Sequence, residues 1–438
     1  MIEIAPELIG LLGFGLMMVL IVIGVPIAFA MLGVAAVGLF LVGGPNHAAT
    51  QLSLTFVEQG SNFILIAIPL YMLMGQIVYR TDIARDLYDC VYKWLGRLPG
   101  GLAITSVVAC AGFGSISGGS VTAVATMGPM CMPAMRRYGY DDSLAAGSIA
   151  SAGTLGILIP PSIVLVVYGI WTETSIGALF VAGIVPGILM TLAYSGTIYV
   201  RCKRTPALGP VGETFPMGEK LRSLVKLLPV LATFLIVIGG IYLGVFTPTE
   251  AAAFGVFSLF GIAFFMGRMS WRILGMTLRE TMHLTGMIFV IIIGGHMMGK
   301  FVVLTGLTSG LVEWIMALGL PALGVMLMFS LLFIALGMVL DIWGMLILTI
   351  PFTFPVILQL GYDPVWFGVY TVIMSELALI TPPVGINVFV MAKVAPDVPL
   401  NTIFKGVLPF FIATLVLVAI LTIFPSITLW LPHSAGMT

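Results

Sequence analysis

The chain has 438 residues, is 60% hydrophobic and only 8% charged, and has a mean hydropathy of +1.17, which excludes an ordinary water-soluble globular domain. Its 18 basic and 18 acidic residues cancel, so it carries no electrostatic footprint for nucleic acid. Cys90, Cys110, Cys131 and Cys202 show no ligand spacing, which argues against a zinc cluster or a disulfide framework and leaves them as small apolar side chains in or near helices.

A transmembrane helix needs about 20 mostly apolar residues. Such stretches follow one another almost end to end, without the alternation of barrel strands. The opening MIEIAPELIG carries acids and no basic region, so it is expected to be retained rather than cleaved as a signal peptide. In chain order, spans are predicted over 7–23, 25–43 and 63–79, then a re-entrant hairpin over 98–134, a broken span over 142–172 and a span over 176–200. A basic loop from Arg201 to Lys226 follows. Further spans are predicted over 229–245, 249–267 and 284–300, a second hairpin over 321–355, a second broken span over 363–393 and a last span over 403–430. Polar segments at 50–62 and 271–283 are expected to be interfacial helices. Trp94, Trp171, Trp271, Trp314, Trp366 and Trp430 fall near predicted span ends, where an amphipathic ring is at home.

The order of elements repeats. Shifting the chain by 222 residues places Pro26 on Pro248, Gly33 on Gly255 and Pro99 on Pro321. The same shift places Pro129 and Pro133 on Pro351 and Pro355, Gly139-Tyr140-Asp141 on Gly361-Tyr362-Asp363, and Pro160-Pro161 on Pro382-Pro383. Proline and glycine fix backbone shape, so this spacing predicts two copies of one fold, 1–200 and 229–438, joined by a linker over 201–228. Basic residues give their relative orientation. Segment 80–97 carries Arg80, Arg85, Lys93 and Arg97, while its equivalent at 302–319 carries none; conversely, Arg268, Arg272 and Arg279 correspond to Asn46, Thr50 and Val57. By the positive-inside rule the copies are inverted, with both termini periplasmic and every Lys and Arg except Lys300 cytoplasmic. The expected fold is therefore an all-α polytopic membrane protein with an inverted-topology repeat, two re-entrant hairpins and broken helices.

Three features carry candidate chemistry. The run Gly112 to Ser120, GFGSISGGS, is too rich in glycine and serine for a continuous apolar helix, and Arg97 and Arg136 bracket it on one side. At a hairpin tip, free carbonyls and the hydroxyls of Ser115, Ser117 and Ser120 can replace part of the hydration shell of a small hard cation; close helix contact is the alternative. Pro160-Pro161-Ser162, preceded by Gly153, Thr154 and Gly156, removes backbone donors and frees upstream carbonyls. Thr381-Pro382-Pro383-Val384-Gly385-Ile386-Asn387 is its counterpart. In the second hairpin, Asp341 of Gly337-Met338-Val339-Leu340-Asp341 needs a partner in an apolar setting, either a cation or a structural hydrogen bond. Glu376 is open between proton binding, substrate contact and a structural role. Glu250, after Pro248 and Thr249, reads as a helix cap, and His296 and Lys300 as interfacial residues. There is no GxxxxGK[ST] motif, so energy must come from an ion gradient or a partner, and no enzymatic activity is expected.

The stretches GFGSISGGSVTAVATMGPMCMPAMRRYGYDDSLAAGSIASAGTLGILIPPSIVLVVYG and LGMVLDIWGMLILTIPFTFPVILQLGYDPVWFGVYTVIMSELALITPPVGINVFVMA closely resemble the large membrane subunit of tripartite ATP-independent periplasmic (TRAP) transporters, the DctM-like family. The resemblance covers essentially the whole chain. It implies a sodium-driven importer of small organic acids such as C4-dicarboxylates, keto acids or sugar acids, in the inner membrane of a bacterium or archaeon. It also implies an elevator mechanism, in which transport elements over 98–172 and 321–393 slide against a scaffold. The partners implied are a periplasmic substrate-binding protein and a small four-span membrane subunit, expected as a separate chain because no four-span unit is left over here. Carried onto this sequence, the pattern places two or more sodium ions around Ser117, Gly118, Ser120, Gly156 and Pro160, and around Gly337, Asp341, Thr381, Pro383 and Gly385. Substrate would lie between the tips, near Ser115, Gly119, Ser162, Glu376 and Asn387, and no organic cofactor is implied. Glu376 departs from the pattern, since similar proteins often have an uncharged residue there. Two other readings of the elements are a binding-protein-independent ion-coupled anion transporter and a non-transporting membrane scaffold subunit.

Overall fold

The computed structural model describes residues 5–338 and 340–437, so Val339 in the predicted second tip and the two chain ends expected on the periplasmic side lie outside it. All regular structure among the described residues is helical. Among the described residues seven helices are long and apolar enough to cross a membrane, or up to nine when bent pairs are counted as single spans. Equivalent helices start 222 residues apart: Pro6 and Leu228, Ser120 and Ile342, Asp142 and Pro364.

Local chemistry follows the same register. Asp141 caps one broken helix by accepting from the backbone N–H groups of Ser143 and Leu144, and Asp363 caps the other through Val365 and Trp366. Gly139 and Gly361 turn the chain just upstream with φ of 74° and 77°. Both Pro-Pro bonds, Pro160-Pro161 and Pro382-Pro383, are cis. Thr247 and Glu250 form a reciprocal capping box at the start of Pro248–Phe265, as expected for Glu250.

The two arms of each hairpin pack side by side, Gly101–Ser117 with Ser120–Arg137 and Ala322–Gly337 with Ile342–Gln359, so each hairpin returns the chain to the side it came from. The ion pairs agree with this path. Asp86 in the first half meets Lys226 of the linker at 3.2 Å and Arg268 of the second half at 2.5 Å. Arg136, ending the first hairpin, meets Asp142 at 2.9 Å and Asp397 at 2.6 Å. That guanidinium holds the Asp397 carboxyl below the usual carboxylate range. At the opposite end, Lys300 pairs with Glu58 at 3.2 Å and Trp171 donates to His296 Nδ1 at 2.6 Å.

Several boundaries differ from the sequence expectation. The predicted 25–43 and 50–62 segments form one run, Ile27–Gly60, bent at Gly44 and Pro45, and 271–283 joins 284–300 as the continuous helix Trp271–Leu304. The last span ends at Ile423, ahead of Phe424-Pro425, and a separate short helix Ser426–Ser434 follows. Loops hide three further helices, Ile83–Leu95, Met217–Val225 and Leu307–Ala317. In the first of these, Ile83, Leu87 and Cys90 are buried on one face, a pattern too short and too charged to register as a span. Trp366 is no interfacial anchor: it is 1% exposed and its indole donates to the Leu421 carbonyl at 2.9 Å. The four cysteines are all buried.

The most completely buried segments are the entering arm of the first hairpin and the first arms of the two broken helices. Leu144 to Ala152 is buried throughout, and small residues let backbones touch at Gly114 with Gly156 and at Gly147 with Gly406.

Candidate functional site

The first hairpin is helical almost to its tip. Gly101–Ser117 and Ser120–Arg137 leave only Gly118 and Gly119 between them, with Gly118 at φ 58° and Gly119 extended. A side chain at Gly118 would be strained by that φ and would sit 3.0 Å from the Pro161 carbonyl oxygen. The tip therefore rests directly on the break of the first broken helix, where Leu155–Leu158 ends and Ser162 caps Ile163–Thr172 by accepting from Leu165 N–H.

Between the tips lies a cavity of about 320 Å³. Ser117, Gly118, Gly119 and Ser120 form one wall and Asp341, Ile342 and Trp343 another, with Leu379 and Ile386 flanking the second break. Among the described residues Asp341 is its one ionisable lining residue, and no Lys or Arg lines it. The Asp341 carboxyl accepts from Gly344 N–H at 2.8 Å and so caps Ile342–Gln359, which satisfies one oxygen and places the group at the cavity wall. The Ser117 hydroxyl is buried without a hydrogen-bond partner. A wider cleft of about 880 Å³ also reaches Asp341 and Ile386 and is otherwise lined mainly by apolar side chains such as Phe29 and Val290.

The structure brings together only part of the sequence-predicted set. Ser117, Gly118, Gly119, Ser120 and Asp341 share the cavity. Gly156 packs behind it, placed so that a Cβ would lie 3.1 Å from the Gly119 carbonyl oxygen, and Pro160 is buried beside Gly183. Gly337 lies against Ala378. Thr381 turns its hydroxyl onto Leu377 O at 2.7 Å, while Pro383 is exposed and Gly385 takes φ 56° at the start of Ile386–Val394. Ser115 donates to Gly112 O at 2.7 Å within its own helix. Ser162, Glu376 and Asn387 are fully buried and do not line the cavity. His296 and Lys300 bridge elements, through Trp171 and through Glu58 and Thr55 respectively.

Sequence reasoning passed over Gln76. Its side chain is buried, lines the cavity and has an unpartnered Oε1. A lone amide in the apolar span Ala67–Arg80 was its visible signal. Met287 and Trp343, which also line the cavity, left none, because apolar residues of a membrane core look alike in sequence.

An inverted pair of hairpins meeting two broken helices around one cavity defines a membrane transport protein rather than an enzyme. The family model described as "Tripartite ATP-independent periplasmic transporter, DctM component" matches residues 14–427. The chain is 37% identical to the C4-dicarboxylate TRAP transporter large permease protein DctM of Pseudomonas aeruginosa, covering 93% of this chain and 95% of that one. It is 33% identical to the sialic acid TRAP transporter large permease protein SiaM of Vibrio cholerae, over 94% and 95%. Among solved structures, the YdaH transporter of Alcanivorax borkumensis shares the fold at a TM-score of 0.62 and 14% identity, covering 98% of this chain and 99% of that one. The chain belongs to the DctM family, as the large permease subunit of a TRAP transporter, a multi-span membrane protein.

Proposed function

We propose that this permease imports a small organic acid by sodium symport, with the cavity between the hairpin tips as its ion and substrate site. One observation carries the reading. Among the described residues the cavity offers hydroxyls, a free amide oxygen and the Asp341 carboxylate, but no basic side chain. A carboxylate substrate entering beside Asp341 meets like charge, so bound cations must supply the attraction. Sodium, which takes hard oxygen ligands, fits Ser117, Ser120, the Gly118 tip and the carbonyls of the first break on one side. Asp341 and the Thr381 to Gly385 turn provide the second group. The relatives above are named for dicarboxylate and sialic acid, both acids. That supports the substrate class, with C4-dicarboxylates, keto acids and sugar acids as its members, and leaves substrate choice to be shared with a periplasmic binding protein.

Elements 98–172 and 321–393 form the moving part in this reading and the remaining spans the scaffold, giving an elevator in the inner membrane. A small four-span membrane subunit is its partner, and both ends of the chain lead to the periplasm. Proteoliposomes holding permease, small subunit and loaded binding protein are expected to take up substrate only under an inward sodium gradient. Equal uptake with potassium replacing sodium contradicts the proposal.

A further inference from the structure

Beside the cavity, toward the end of the molecule where the loops are basic, lies a charged cleft that the sodium reading does not use. Two helices lead to it. On Ala67–Arg80, Gln76 lines the cavity and Arg80, four residues on, lines a separate cleft of about 700 Å³. On Trp271–Leu304, Met287 lines the cavity, and His283 and Arg279, four and eight residues nearer the helix start, line that same cleft. A helix rises about 1.5 Å per residue and keeps residues four apart on one face, so Arg80 stands about 6 Å along the axis from its cavity residue and Arg279 about 12 Å from its own. The cleft of about 880 Å³ joins the two spaces, for it shares Met287 and Asp341 with the cavity and Met282 and His283 with the charged cleft.

Arg80 has no anionic partner among the described residues. Its Nη1 donates to the Met276 sulfur at 3.9 Å, a weak acceptor, and its Nε is enclosed by protein without a hydrogen bond. Two other half-buried arginines are paired, Arg268 with Asp86 and Arg136 with Asp142 and Asp397. Glu280 also lines the cleft but forms no ion pair with Arg80 or Arg279 among the described residues. A guanidinium is shaped to hold a carboxylate or phosphate through parallel N–H donors. Left unpaired beside an open path, it keeps those donors for an anion that passes.

We propose that Arg80, supported by Arg279 and His283, is an oxyanion site that receives the carboxylate of the organic acid as it leaves the cavity. The identity of that anion rests on the import reading; the site itself does not. While cations are bound, the carboxylate is held beside Asp341. Once they depart, Asp341 repels it and Arg80, one turn beyond Gln76, attracts it, so the charge pattern gives release a direction. A phospholipid phosphate has the same chemistry, but the enclosed Nε and the continuity with the cavity favour the transported acid.

Charge-selective labelling tests this without any transport assay. Met282 is 73% exposed and shared by both clefts, and the native cysteines are buried. In the full chain carrying Met282→Cys, in lipid nanodiscs and sodium-free buffer, a sulfonate-bearing methanethiosulfonate is expected to react about tenfold faster than a trimethylammonium-bearing one, each relative to a free thiol. Arg80→Gln is expected to bring that ratio close to unity. Succinate, the probe anion, is expected to slow the sulfonate reagent several-fold against chloride of equal ionic strength. Selectivity that survives Arg80→Gln overturns the proposal, as does labelling that succinate leaves unchanged. Succinate protection seen in detergent but lost in nanodiscs also overturns it, because a phospholipid headgroup then holds the site. Should Arg80→Gln fail to fold, the fall of the ratio in Arg279→Gln, an exposed position, and the succinate protection decide it. No gradient enters the measurement, so failure here leaves sodium-driven import standing, and sodium-independent uptake leaves this site standing.

Discussion

The two hairpins share length, register and proline positions, yet they sit in different surroundings. In the first, the entering arm Gly101–Ser117 is buried along nearly its whole length. In the second, Ala322–Gly337 exposes Leu323, Leu327, Leu331 and Leu332, and the break it faces exposes Pro382, Pro383 and Val384 where Pro160, Pro161 and Ser162 are buried. Repetition therefore fixes topology but not packing: the first hairpin is enclosed by protein, the second presents one side outward. The sites differ accordingly. The first tip supplies neutral hydroxyls and close-packed carbonyls, and the second supplies a carboxyl group, in Asp341 at a helix cap.

Substitutions can break this comparison, most severely at the glycine crossing between the halves, Gly147 on Gly406, which has no glycine counterpart at the symmetry-related positions. A Cβ at Gly147 would fall on the Gly406 backbone, whereas the residues at the equivalent positions are Val369 and Ile184. Gly147→Leu is expected to cost about 3 kcal/mol or more through overpacking, seen as loss of a monodisperse peak on detergent size exclusion. A normal elution profile and melting temperature would contradict the crossing. Next, Phe113→Ala in the enclosed arm is expected to cost about 3 kcal/mol in thermal unfolding, because a 0% exposed ring leaves a cavity. Leu327→Ala in the outward arm should stay within about 0.5 kcal/mol, the range of surface changes. Equal costs would mean that the two arms are equally enclosed. A smaller effect is expected at the tip: Asn can still cap a helix, so Asp341→Asn should keep the fold while raising the sodium needed for half-maximal uptake by about tenfold, a loss of about 1.4 kcal/mol. An unchanged sodium requirement removes Asp341 from the ion site.

Much of this was legible in sequence because it was written in residues with single meanings. Proline pairs, Gly139 with Gly361, and Asp141 with Asp363 dictate turns and caps wherever they stand, so the repeat and its broken helices were readable. Arginine placement gave the inversion for the same reason. Packing was not legible, since an apolar leucine reads alike against protein or lipid, and the different enclosure of the two hairpins stayed hidden. Trp366 misled because a tryptophan near a span end suits both the interface and a core whose carbonyl accepts its N–H. The site was half legible: Ser117, Gly118, Gly119, Ser120 and Asp341 converge, whereas Ser115, Ser162 and Asn387 bond within or between helices.

Everything functional rests on tips from opposite repeats facing one cavity. Val121 and Trp343 line it from the two sides, and the native cysteines are buried, so a Val121→Cys, Trp343→Cys pair can be joined selectively by a short bifunctional thiol reagent. The account predicts an intramolecular cross-link in membranes for the pair and none for either single variant. Two cysteines that each label readily but never cross-link would contradict it.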